Sequence, residues 1–135
     1  MKFTKAKALS LYLELNKNTE EFRKQIIVQG LNEIDQGSYK SIYSKNKLAY
    51  VIKIARSLND EFAKLPSKLK NFYIKPYYID ERIVIQKKAD TTNSKEAQQD
   101  IANLIGQDSC CDYDIWEGNC GYLNEQPVVF DFAEI

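Results

Sequence analysis

The stretch from Leu31 to Ile54 constrains the fold most. Leu31–Ile34, Ser41–Tyr43 and Leu48–Ile54 are short β-prone runs, separated by Asp35-Gln36-Gly37 and by Ser44-Lys45-Asn46-Lys47. Both separators consist of residues that favour turns. The pattern predicts a three-stranded meander. Farther on, Phe72–Ile79 and Arg82–Lys87 flank Asp80-Glu81 and predict a second hairpin.

Helical patterning surrounds these strands. Residues 4–16 place Ala8, Leu11, Tyr12 and Leu15 on one helical face, although the Leu9/Leu11/Leu13/Leu15 alternation suits a strand equally. Asn18 or Thr19 caps a second helix, with Glu20 and Glu21 in its first turn, Phe22, Ile26 and Ile27 as its buried side and Gly30 beyond its end. Ser57-x-x-Asp60 starts a short helix that Pro66 ends. Ala97, Ile101, Leu104 and Ile105 mark an amphipathic helix over 94–105, closed by Gly106. An irregular loop over 107–119 and strands near Tyr122–Leu123 and Val128–Phe130 complete an α+β chain.

Composition removes whole classes of chemistry. With 19 basic and 19 acidic residues the net charge is zero, so no long-range field draws the chain to nucleic acid or to an anionic membrane. No apolar run approaches the roughly 18 residues needed to span a bilayer. Met1–Leu9 begins like a signal peptide, but Ser10, Tyr12 and Glu14 interrupt the apolar stretch, which predicts a cytoplasmic protein. The three cysteines are an odd number, and Cys110 and Cys111 are adjacent, as for thiols in a reducing compartment. The absence of histidine excludes Ser-His-Asp and Cys-His catalysis and His-ligated zinc. Carboxylates, lysines and hydroxyls remain.

Four fragments carry the functional signal through their order. Gly37-Ser38-Tyr39-Lys40-Ser41-Ile42-Tyr43 is followed by Val51-Ile52-Lys53-Ile54-Ala55, then by Asp112-Tyr113-Asp114-Ile115-Trp116-Glu117-Gly118-Asn119, then by Asp131-Phe132-Ala133. A glycine turn, a strand lysine, Asp-x-x-x-x-Asn and Asp-Phe-small, in this order, resemble the protein-kinase-like superfamily. The resemblance covers residues 31–135. Its aspartate loop is closer to that of small-molecule kinases than to the eukaryotic form, and short kinase-like proteins of bacteriophages look similar.

The resemblance implies a minimal kinase-like fold. Residues 31–88 would form an antiparallel five-stranded small lobe, 89–135 a vestigial large lobe, and 1–30 an N-terminal helical extension. It implies ATP and Mg²⁺ as cofactors. Gly37, Ser38 and Tyr39 would cover the phosphates; Lys53 would hold them, paired with Glu61 or secondarily Asp60. Asp114 would act on the acceptor's proton, and Asn119 and Asp131 would bind the metal. Asp35 and Lys40 stand where the family has its other two glycines, Trp116 replaces a frequent histidine, and Ala133 stands for glycine.

Each fragment also has a plain structural reading. A hairpin needs one glycine, strand lysines protect sheet edges, and a polar loop forms Asx turns. Phe72, Tyr73, Tyr77 and Tyr78 read as core and interface aromatics, and Lys64, Lys68, Lys70 and Lys75 as a solvated face. Two functions follow. One is an ATP- and Mg²⁺-dependent phosphotransferase acting on an unidentified acceptor. The alternative is a catalytically inactive, pseudokinase-like binder of a protein partner, a host protein in the host cytoplasm if the phage likeness holds. The four polar positions favour the first. The few residues after Asp131, too few for an acceptor platform, favour the second.

Overall fold

The β-prone runs after Leu31 do pair as neighbours. The computed structural model describes residues 2–36, 40–55, 67–106 and 120–130. The chain divides into two compact units, residues 1–59 with 76–88 and residues 60–75 with 89–135.

In the first unit, β1 (Asn32–Gln36), β2 (Lys40–Ser44), β3 (Tyr50–Ala55), β4 (Tyr78–Ile79) and β5 (Ile83–Lys87) form a five-stranded sheet ordered β1-β2-β3-β5-β4. All its pairings are antiparallel, with a register shift between Glu33 and Asp35 in the edge strand β1. Side chains alternate across a strand, so one face carries Tyr43, Tyr50, Ile52, Ile54, Ile83 and Ile85. These residues share a core with Ala8 and Tyr12 of α1 (Lys5–Glu14) and Phe22 and Ile26 of α2 (Thr19–Val28). The N-terminal helices therefore cover one face of the sheet. Fully burying each large apolar side chain here contributes about 1.5–3 kcal/mol.

Local chemistry sets the helix ends. Thr4 accepts from the Lys7 N–H, and Asn18 accepts from the Glu21 N–H with Glu20 and Glu21 in the first turn. Between the helices Asn16 and Lys17 adopt φ of 55° and 60°, the left-handed region that reverses the chain. Ile27, expected on the buried side of α2, is 51% exposed. Phe22 and Ile26 lie i, i+4 on the core side, and the next residue rotates about 100° away from it.

The predicted strand over Phe72–Ile79 shortens to the two residues of β4. Pro76 lacks an N–H for a ladder, and Tyr73 bridges instead to Val129 in the second unit. The helix expected over 57–66 lies outside the described residues.

In the second unit, β6 (Cys120–Leu123) and β7 (Gln126–Val129) form a hairpin. Asn124 and Glu125 turn it with φ of 51° and 68°, the two successive positive φ values of a type I′ turn. Tyr73 bridges Val129 in parallel on one side, and Asp90 pairs with Tyr122 on the other through N–H···O bonds of 2.8 and 2.9 Å. Helix α3 (Ser67–Lys70) supplies Leu69 and α4 (Ser94–Ile105) supplies Ala97 and Ile101 to a core with Tyr73, Cys120 and Val129. Gly106 ends α4 with φ of 74°. Leu104, expected on the apolar face, is 66% exposed, while Ile105 packs partly against this core.

Candidate functional site

Strand β3 runs between β2 and β5, so its side chains meet neighbours on both sides. The register pairs Ile42 with Lys53 and Lys53 with Val84, placing the three in one row on the sheet face opposite the helices. Val51 and Gln86 form the next row. Lys53 is 1% exposed, and Gln86 is fully buried on the same face. Ser44, also buried, donates its hydroxyl to the Tyr50 carbonyl at 2.8 Å and so joins the ends of β2 and β3.

The sheet thus has two chemically different faces. One is apolar and helix-covered; the other holds a lysine and an amide among Ile42, Val51 and Val84. Desolvating an ammonium costs several kcal/mol unless an anion or several acceptors compensate it. An edge-protecting lysine would be solvated on an outer strand, and Lys53 is neither. At the end of β5, Lys88 donates through Nζ to the Lys45 carbonyl at 2.8 Å, and burial lowers its pKa.

Of the site residues assigned from sequence, Lys53 alone falls among the described ones. Gly37, Ser38, Tyr39, Asp60, Glu61, Asp114, Asn119 and Asp131 lie outside them, as do Cys110 and Cys111. Asn119 directly precedes β6, and Asp131 follows Val129 by two residues. Cys120 and Val129 are cross-strand partners.

Sequence reading did not single out Gln86 or Asp80. Gln86 was signalled only by its period-2 spacing from Val84, which acquires meaning once β5 is known to flank β3. Asp80, taken as turn material, is the most connected carboxylate among the described residues. Its Oδ1 accepts from the N–H groups of Arg82 at 2.8 Å and Ile83 at 2.9 Å, an Asx turn. Its Oδ2 accepts from the hydroxyls of Tyr12 and Tyr78, each at 2.9 Å. Burial alone would raise the Asp80 pKa, but these four donors together hold it below the usual carboxylate value. Burial, and then the Asp80 carboxylate, push the Tyr78 hydroxyl up to about 12 and raise Tyr12 further. Arg82 completes the link by donating Nη1 to the Lys17 carbonyl at 2.8 Å. This constellation fastens the helical pair to the β4–β5 hairpin; it is a structural clamp.

In the second unit, Tyr122 donates to Asp100 at 2.6 Å, and this bond, followed by burial, pushes its pKa up to about 12. Burial raises the Cys120 thiol to about 12, which makes it an inert core residue rather than a nucleophile. Among the described residues no group of three or more carboxylates and thiols is placed to hold a metal ion. None of their helices is long and apolar enough to cross a membrane. Comparison with protein families, curated proteins and solved structures returns no match to this chain.

Proposed function

We propose that this chain is a kinase-like phosphotransferase that binds ATP and Mg²⁺ in a minimal small-lobe scaffold. The burial of Lys53, 1% exposed at the middle of the sheet between Ile42 and Val84, is the observation that carries this reading. A strand that shelters an ammonium on a face shared with Ile42, Val51, Val84 and Gln86 supplies an oriented cation, which suits the phosphates of a nucleotide.

In this reading Lys53 holds the phosphates and Glu61 orients the lysine. Gly37-Ser38-Tyr39, which lie in sequence between β1 and β2, would supply backbone N–H groups. Asp114 accepts the proton of an acceptor hydroxyl. Asn119 and Asp131 supply oxygens for Mg²⁺, which when bound offsets the charge on the phosphates. Chain connectivity supports their pairing, because the Cys120↔Val129 register sends the chain ends leading to Asn119 and Asp131 out of the same end of one hairpin.

Calorimetric titration with ATP, with and without Mg²⁺, tests the proposal. Mg²⁺-dependent binding is expected, and Lys53→Met should abolish it while preserving the circular dichroism spectrum, since methionine fills the buried site without charge. Absence of ATP binding by the parent chain would reject the phosphotransferase in favour of the binding-protein alternative.

A further inference from the structure

The glycine-turn fragment contains a second cation that the functional reading leaves unused. Lys40 occupies a position where the resembling family has glycine, and it is the first residue of β2. Its register partner is Ala55, while Ile42 is the partner of Lys53. Lys40 is thus two residues from Ile42 on one strand, as Ala55 is from Lys53 on the other. With a side-chain period of two, all four point to the sheet face opposite the helices.

Lys40 and Lys53 are therefore diagonal neighbours on one face. Such positions have Cα atoms about 7–8 Å apart, within the combined reach of two lysine side chains. Their settings differ. Lys53 is 1% exposed at the sheet centre, whereas Lys40 is half-buried at the start of β2. An inner and an outer cation on one face make a linear pair suited to a chain of phosphates.

Resting on the nucleotide-binding reading, we infer that Lys40 is a second phosphate-binding residue. It supplies from a side chain part of the positive potential that a more glycine-rich loop would supply from backbone N–H groups. The ligand class is a nucleoside triphosphate, with Lys53 on the inner phosphates and Lys40 on the terminal one. Lysine also suits this role sterically, because its flexible stem carries the charge away from the backbone, whereas a glycine admits the phosphate to the backbone itself.

The test is calorimetry on the full chain with Mg²⁺ and ATP, ADP, adenosine or inorganic tripolyphosphate, alongside thermal melting. Lys40→Gln is expected to weaken ATP and tripolyphosphate by about tenfold or more, the range for one charge-assisted contact. ADP should change less and adenosine within about twofold, on the same reasoning that only the terminal contact is lost. Lys40→Arg retains the charge and should keep ATP affinity within about threefold. It also keeps the inference testable if the glutamine variant fails to fold, because an arginine variant that melts like the parent yet loses ATP would overturn it. Parent-like ATP affinity in a folded Lys40→Gln overturns the inference while leaving the nucleotide site standing. An equal loss for adenosine and ATP also overturns it, since the phosphate would not be what Lys40 contacts. If the parent binds no ATP, both readings fall together.

Discussion

Removing the Asp80 carboxylate should loosen the first unit far more than an ordinary turn substitution would. In Asp80→Ala, four hydrogen bonds of 2.8–2.9 Å lose their acceptor. They are not equal. The Arg82 N–H is exposed and regains water, and Tyr78 is only half-buried, so these losses are small. Tyr12 is different. It is fully buried, with its ring edge-on to Phe22 at 5.1 Å and Tyr78 at 6.1 Å. Leaving that donor unpaired costs about 1–3 kcal/mol, and the whole substitution about 2–4 kcal/mol.

Urea unfolding followed by far-UV circular dichroism measures this directly, as a lower midpoint at unchanged slope. Tyr12→Phe removes the buried donor itself and should cost less, about 0.5–1.5 kcal/mol. The double variant isolates the coupling, expected at about 1–2 kcal/mol for residues in direct contact. Strict additivity of the two substitutions, or an Asp80→Ala midpoint equal to the parent's, would refute the clamp.

The pH dependence follows with a definite sign. The folded Asp80 carboxyl titrates below its ordinary value of 3.8, so its contribution is complete above that value. The contribution is lost as pH falls through the depressed folded pKa, because the folded state then gains a proton the unfolded chain already holds. At the other extreme, Tyr12 and Tyr78 are raised above 10.0 in the folded state. Stability therefore falls as pH rises above 10.0 and the unfolded chain ionises first. Asp80→Asn should flatten the acid limb relative to the parent.

Three further outcomes are expected. Gly121→Ala would place a Cβ 2.6 Å from the Asp90 carbonyl oxygen, a backbone atom, so the hairpin's pairing with Asp90 must open; a loss of about 1–3 kcal/mol should appear in thermal melting. Tyr50→Phe removes the 2.6 Å bond to the Phe3 carbonyl and should cost about 1 kcal/mol, with faster proteolysis of the N-terminal segment as the local readout. On the phosphotransferase reading, Asp114→Ala should abolish phosphate transfer measured with labelled ATP yet leave ATP affinity unchanged, since the group acts on the acceptor's proton.

Local chemistry made much of this fold legible. Asn18 with Glu20 and Glu21, and Gly106 after an i, i+4, i+7 pattern, mark helix ends that depend only on nearby atoms. The runs around Ile42, Ile52 and Ile85 are β-prone whatever they pair with. Other features depend on partners distant in sequence. Tyr73 leaves the predicted second hairpin because Val129, 56 residues away, accepts from the Ile74 N–H and donates to the Phe72 carbonyl on either side of it. Ile27 and Leu104 have the composition of core residues but sit just off the buried arc, whose width the neighbouring surface sets.

The functional candidates divide in the same way. The order of glycine turn, lysine strand and two acidic fragments is a property of the chain alone, and it supplied both the resemblance and the proposed roles. Whether Lys53 is a solvated edge lysine or a buried one was not contained in Val51-Ile52-Lys53-Ile54-Ala55. That run is apolar at every other position on both faces, so it has no alternation to reveal an inside. The register of β3 between β2 and β5 set the lysine in a row with Ile42 and Val84, where it is 1% exposed, and the packing of α1 and α2 on the opposite face settled which face it shares with Gln86 and Lys40. Sequence thus determined the elements and their chemical inventory, through short-range hydrogen bonding and side-chain period. Tertiary structure alone decided which charge is desolvated, because desolvation depends on neighbours brought from elsewhere in the chain.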